Sequence, residues 1–253
     1  MAQIINRPCG EGASRGVTVT GQSIYEESST AKHKLGERLP LPDGRVFYYA
    51  KAGEALTAGK LCSAQVDTDA EDTVTVAHPA GTTEVTVTAA SAITKDQYKE
   101  GYLIVDEGTD AGSIYKIKSN EAIASGSTGT VTLYDGLVTA WSTSDTDITL
   151  VTNLFYNVQL ANTDQIELPL GVPLIDVTSG YYFWLQTWGV APVLQDEAFG
   201  NNAAQRLVTI GSSVSGAVEA YDAACEALVG QMILDGADSE DAKYYPILLQ
   251  IMP

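Results

Sequence analysis

Short runs in which valine and threonine alternate strictly constrain this chain more than any other feature. Val74 and Val76 alternate with threonine over 73–77, and Val85 and Val87 do the same over 84–88. A period of two sends successive side chains to opposite faces, so such runs form strands that bury one face. Pro79-Ala80-Gly81 separates the two runs as a loop. Further short apolar runs at 102–106, 113–118, 130–134 and 148–152 are punctuated by Gly, Asp or Ser. This spacing predicts an all-β fold. No repeat of fixed period is visible. Two segments stay open: Ser91 to Glu100 fits one or two helical turns, and Val218 to Val229 fits a short helix or a strand pair.

Residues 1–45 are rich in Gly, Ser, Glu and Pro, with only Val17 to Thr20 resembling a strand. A lead this long without periodicity reads as an extended N-terminal arm that orders against something else. Residues 46–253 are then expected to form a small β-barrel or sandwich body, with a β-rich insertion at about 80–150. Within the body, 180–189 reads Gly-Tyr-Tyr-Phe-Trp-Leu-Gln-Thr-Trp-Gly. Both faces of that strand are apolar, which predicts a strand covered on both sides, with Trp184 and Trp188 mostly buried.

Composition removes several function classes. The 253 residues are 45% hydrophobic and only 18% charged, too apolar for a wholly disordered chain. A formal charge of −18 opposes a polyanion, so nucleic acid is not an expected partner. No stretch approaches the roughly 18 apolar residues of a membrane span, and the N-terminus lacks the apolar core of a signal peptide. Synthesis in the cytoplasm is the expectation, with no membrane partner. Charge is also unevenly placed. The first 60 residues hold eight basic and six acidic side chains, whereas no basic residue occurs between Lys118 and Arg206.

No chemical motif survives inspection. Gly53 to Gly59 has five intervening residues instead of a phosphate loop's four, and Leu61 stands where a hydroxyl should hold magnesium. Asp67-x-Asp69-x-Glu71 alternates oxygens like a calcium loop, but its sixth position is Asp72 and its twelfth His78. His33 and His78 lack ligand-spaced partners and read as surface residues. Cys9, Cys62 and Cys225 form no metal pattern and read as free thiols. The run Gly-Ser-Ser-Val-Ser-Gly at 211–216 misses the nucleophile-elbow spacing. The chain is read as having no catalytic residues, no cofactor and no metal.

Three stretches resemble the capsid decoration (cement) proteins of tailed bacteriophages: VFYYAKAGEALTAGKLC at 46–62, GYLIVDEGTDAGSIYKIKSN at 101–120, and GVPLIDVTSGYYFWLQTWGVAPVL at 171–194. The resemblance implies a non-enzymatic virion structural protein, a homotrimer bound to the outer capsid surface. Its partners would be the major capsid protein and further copies of itself, and it would bridge capsomers. The long insertion departs from the smallest members of that family. Contact with the capsid is expected from Arg7, Arg15, Lys32, Lys34 and Arg38 in the arm, and from Tyr182 and Trp188 on the aromatic strand. The other classes weighed are a head-fibre, minor capsid or tail component, and a carbohydrate-binding adhesin.

Overall fold

A computed structural model describes residues 18–19, 21–65, 68–143, 146–196, 206–221, 226–234 and 242–253. Among the described residues there are strands and no helix, so the all-β expectation holds. The chain divides into two compact units. One is drawn from Met1–Gln65 with Phe155–Pro253, and the other is Val66–Leu154. The first, the body, contains β1 (Thr18–Val19), β2 (Gln22–Ser23), β3 (Arg38–Pro40), β4 (Val46–Lys51) and β5 (Cys62–Ala64). The second contains β6 (Thr68–Thr73), β7 (Glu84–Thr88), β8 (Tyr102–Glu107), β9 (Ile114–Asn120), β10 (Thr128–Leu133) and β11 (Asp147–Val151). The body resumes with β12 (Val158–Leu160), β13 (Pro169–Pro173), β14 (Tyr182–Leu194), β15 (Leu207–Ile210), β16 (Val218–Ala220), β17 (Leu228–Met232) and β18 (Tyr244–Gln250).

The second unit is a six-stranded antiparallel sheet in the order β6-β11-β8-β9-β10-β7. Its outermost strands are consecutive in sequence, as in a sheet that curls toward closure. Residues 74–83 bridge the two edges: Val74 N donates to Thr146 O (3.1 Å), and Thr86 N donates to His78 Nε2 (3.1 Å). The alternation read at 84–88 has a physical cause, whereas the run at 73–77 leaves the strand after Thr73 and exposes Val76, because the chain there turns across the edge of the sheet. Val85, Val87, Leu103, Val105, Ile148 and Leu150 all point into one core, while the residues between them face outward. The unit begins earlier than the expected insertion because β6 pairs with β11 and Val74 joins the same core.

The body sheet runs β12-β5-β13-β14-β18-β17-β15-β16, with β3 and β4 branching from β14. It curls until the β5–β12 end meets the turn between β15 and β16. Leu61 N donates to Gly216 O and Gly216 N to Ala161 O, both at 2.7 Å. Gly216 makes this closure possible: its φ is +76°, and a Cβ there would lie 2.9 Å from Lys60 Cβ. Leu61, Val172, Val193, Val208, Val229 and Leu249 share the enclosed core.

Several expectations are corrected. Residues 91–100 form turns rather than a helix, because Asp96 and Glu100 adopt left-handed φ of 60° and 59°, which an α-helix excludes. Val218–Ala220 is strand, whereas 222–225 lie outside the described residues. Neither histidine side chain lies on the surface, although His33 as a whole residue is only half-buried. His78 is 6% exposed with Trp141 at its ring edge, and the His33 side chain is 7% exposed. The largest correction concerns the arm. Residues 21–45 belong to the body: β3 pairs with β4, and Ile24, Leu39 and Leu41 pack on Phe47, Tyr49 and Trp184. A few apolar residues with no period suffice, because the barrel supplies the complementary surface. Residues 1–17 and 20 lie outside the described residues.

Trp184 is 1% exposed, as expected, but Trp188 is only half-buried. Replacing Trp184 with Ala should therefore cost about 3–5 kcal/mol of unfolding free energy in denaturant titration. Trp188→Ala should cost clearly less. Equal losses would contradict this placement of the core.

Candidate functional site

The expected contact residues fall into two described groups and one undescribed pair. Arg7 and Arg15 lie outside the described residues. Lys32, Lys34 and Arg38 are exposed on the segment that crosses β4 and β14. Tyr182 and Trp188 are half-buried on β14. Six residues of strand separate those two aromatics by roughly 20 Å, so they do not form one patch.

Residues 22–37 act as a strap over the body, held by buried polar groups. Gln22, 2% exposed, is the central fastener. Its Nε2 donates to Glu26 O and Tyr182 O, both at 2.8 Å, and its Oε1 accepts from the Tyr49 hydroxyl at 2.7 Å. The same hydroxyl accepts from Lys32 N at 3.0 Å, so Tyr49 ties the start of the strap to its middle. Trp184 Nε1 donates to Gln22 O at 3.3 Å. Ser28 and Tyr182 exchange two backbone bonds, and Glu27 accepts from Thr178 N and Oγ1. Gly36 N donates to Tyr49 O, and Tyr49 N donates to Glu37 O. Buried backbone groups demand partners, and here the strap and the barrel satisfy each other.

His33 is the pivot between the two lysines. Its ring lies 5.1 Å from Tyr49 and 5.0 Å from Trp184, with Nδ1 3.1 Å from Glu37 Oε1. Its Nε2 is buried without a hydrogen-bond partner among the described residues. With His33 inward, the neighbouring Lys32 and Lys34 point to solvent. Arg38 Nε donates to the backbone oxygen of Pro253 at 3.0 Å, and the Tyr48 hydroxyl reaches the same oxygen at 3.2 Å. Tyr182 stacks on Tyr49 at 6.0 Å, and Lys51 Nζ sits 5.9 Å from the Tyr182 ring.

The aromatic strand does not present a row of exposed rings. Trp184 and Phe183 are core residues, and Tyr182 is half-covered. Among the described residues, no group of three or more His, Cys, Asp or Glu side chains is gathered for a metal. Cys62 is fully buried, and burial pushes its thiol far above the ordinary range. No helix among the described residues is long and apolar enough to cross a membrane. Gln22, His33 and Tyr49 were not singled out as fasteners from the sequence. A lone glutamine in an irregular segment carries no signal until the tyrosine it meets is known.

Compared with known proteins, the chain matches no family model, no curated protein and no solved structure.

Burial holds the Tyr49 and Tyr182 phenols above their ordinary pKa. The folded state therefore keeps protons that the unfolded state releases above about pH 10. Stability should be unaffected by these groups below that pH and fall as pH rises through and beyond it. Tyr49→Phe should remove part of that alkaline fall. It should also cost about 1–3 kcal/mol at neutral pH by leaving Gln22 Oε1 unpaired. Denaturant midpoints measured from neutral to alkaline pH check both outcomes.

Proposed function

We propose that this chain is a non-enzymatic structural protein of a tailed-phage virion, a decoration protein bound to the outer face of the capsid. The observation that carries the reading is the display of cations. Lys32 and Lys34 are exposed on a strap fastened to an acid-rich all-β body, and Arg38 is exposed where the strap enters β3. Such a surface suits an acidic partner, and fixing the strap in advance removes the ordering cost of binding. The resemblance to cement proteins supports it. Its three stretches correspond to β4 with the approach to β5, to the β8–β9 hairpin, and to β13 with β14. Those are the framework elements of both units.

Trimeric attachment would multiply modest single contacts through effective concentration. Placement elsewhere in the virion, on a head fibre or tail, is the outcome that a particle image would separate. The sugar-stacking reading loses its main support because Trp184 is buried.

Binding to capsids assembled without this protein tests the proposal. The charge reversals Lys32→Glu, Lys34→Glu and Arg38→Glu together should weaken attachment roughly three- to hundredfold. Raising salt should weaken the unaltered protein in the same direction. Capsids that bind the triple variant as tightly as the original would remove the strap as anchor. A chain that binds no capsid surface would overturn the proposal.

A further inference from the structure

In the second unit, Lys116 and Asn153 converge on one oxygen. Asn153 Nδ2 donates to the backbone carbonyl of Glu100 at 2.8 Å, and Lys116 Nζ donates to the same oxygen. The sheet order explains the meeting. β8 lies between β9 and β11, and Tyr102 pairs with Lys116 on one side and Val151 on the other. Lys116 and the end of β11 therefore start roughly 10 Å apart, two strand spacings. The lysine stem crosses the Tyr102 ring, with Nζ 4.3 Å from its centroid, to reach the Glu100 carbonyl. Asn153 and Glu100 are each 6% exposed, and the Glu100 carboxyl accepts the Tyr134 hydroxyl at 2.6 Å. An amine and a carboxamide thus meet on one backbone oxygen in a largely covered place, and the residue that supplies that oxygen also carries a carboxyl.

We propose that Lys116 and Asn153 are a self-crosslinking pair that forms an intramolecular isopeptide bond. The unprotonated Lys116 amine adds to Asn153 Cγ. The Nζ–Cγ bond forms, the Cγ–Nδ2 bond breaks, and Nδ2 leaves as ammonia. The proton lost by Nζ passes to the leaving nitrogen, with the Glu100 carboxyl as carrier. No oxidant, reductant or cofactor is consumed. A carboxamide is a poor electrophile in solution. Here the shared acceptor keeps the two side chains together, so the reaction draws on proximity instead of activation. The product joins β9 to the segment after β11 across β8. It removes unfolded-state freedom as a disulfide would, without depending on redox conditions.

Mass spectrometry of the purified full chain tests this without any variant. The crosslinked protein should weigh about 17 Da less than its sequence, the mass of one ammonia. Trypsin should fail to cut at Lys116 and release one branched species joining residues 100–118 to 119–206. Lys116→Arg and Asn153→Ala should each return the mass expected from sequence. Glu100→Gln should stay uncrosslinked or convert much more slowly, and full conversion of that variant would overturn its role as proton carrier. A wild-type chain that keeps its full mass after prolonged incubation at neutral pH would overturn the proposal. So would a deficit that survives Lys116→Arg.

Discussion

Strand β14 is thirteen residues long, and the body is organised by what it must pair with and what must cover it. Its first half pairs with β4, its second half with β18, and Leu185 and Gln186 also meet β13. Residues 183–187 are all buried, so both faces of the strand are covered. A strand so loaded cannot stay flat. A register shift between Gln186 and Trp188, followed by Gly189 at φ +89°, bends it so that the two halves serve different neighbours. Trp184 faces Phe47, Tyr49 and the apolar residues of the strap. Without Ile24, Leu39 and Leu41 over them, those rings would form an exposed patch of several hundred Å².

The strap is therefore fixed by the same demand that shapes the barrel, and its outward side chains inherit that rigidity. Lys32 and Lys34 flank the inward His33, and Arg38 begins the strand that pairs with β4. Three exposed cations therefore stand together here, with Glu26, Glu27 and Glu37 exposed on the same segment, in a chain of formal charge −18. Acidic excess of this size disfavours nonspecific association. The second unit has its own closed core, so it stands as a β-barrel-like module inserted in the chain between β5 and β12.

Much of this was legible in the sequence where local pattern and burial agree. The alternating valines of β7 and the mixed aromatic faces of β14 report burial directly, because one residue type marks each face. The strap was not legible. Its order comes from Gln22, Tyr49 and Trp184, residues up to 162 positions apart, and no local period encodes such contacts. Ser91 to Glu100 misled for a related reason. Two apolar points, Ile93 and Tyr98, say nothing about the left-handed backbone at Asp96 and Glu100. His78 reads as a turn residue until β7 is placed beside it, when its imidazole becomes the acceptor for Thr86 N.

Native-state hydrogen exchange at the strap amides tests the central claim most directly. Ser28, Lys32 and Gly36 donate to Tyr182 O, the Tyr49 hydroxyl and Tyr49 O respectively. If the strap is part of the fold, these amides should exchange only through openings nearly as costly as those exposing β14. Exchange at the rate of a free chain, with β14 still protected, would show that the segment is an arm after all. It would also show that the body covers Trp184 by some other means.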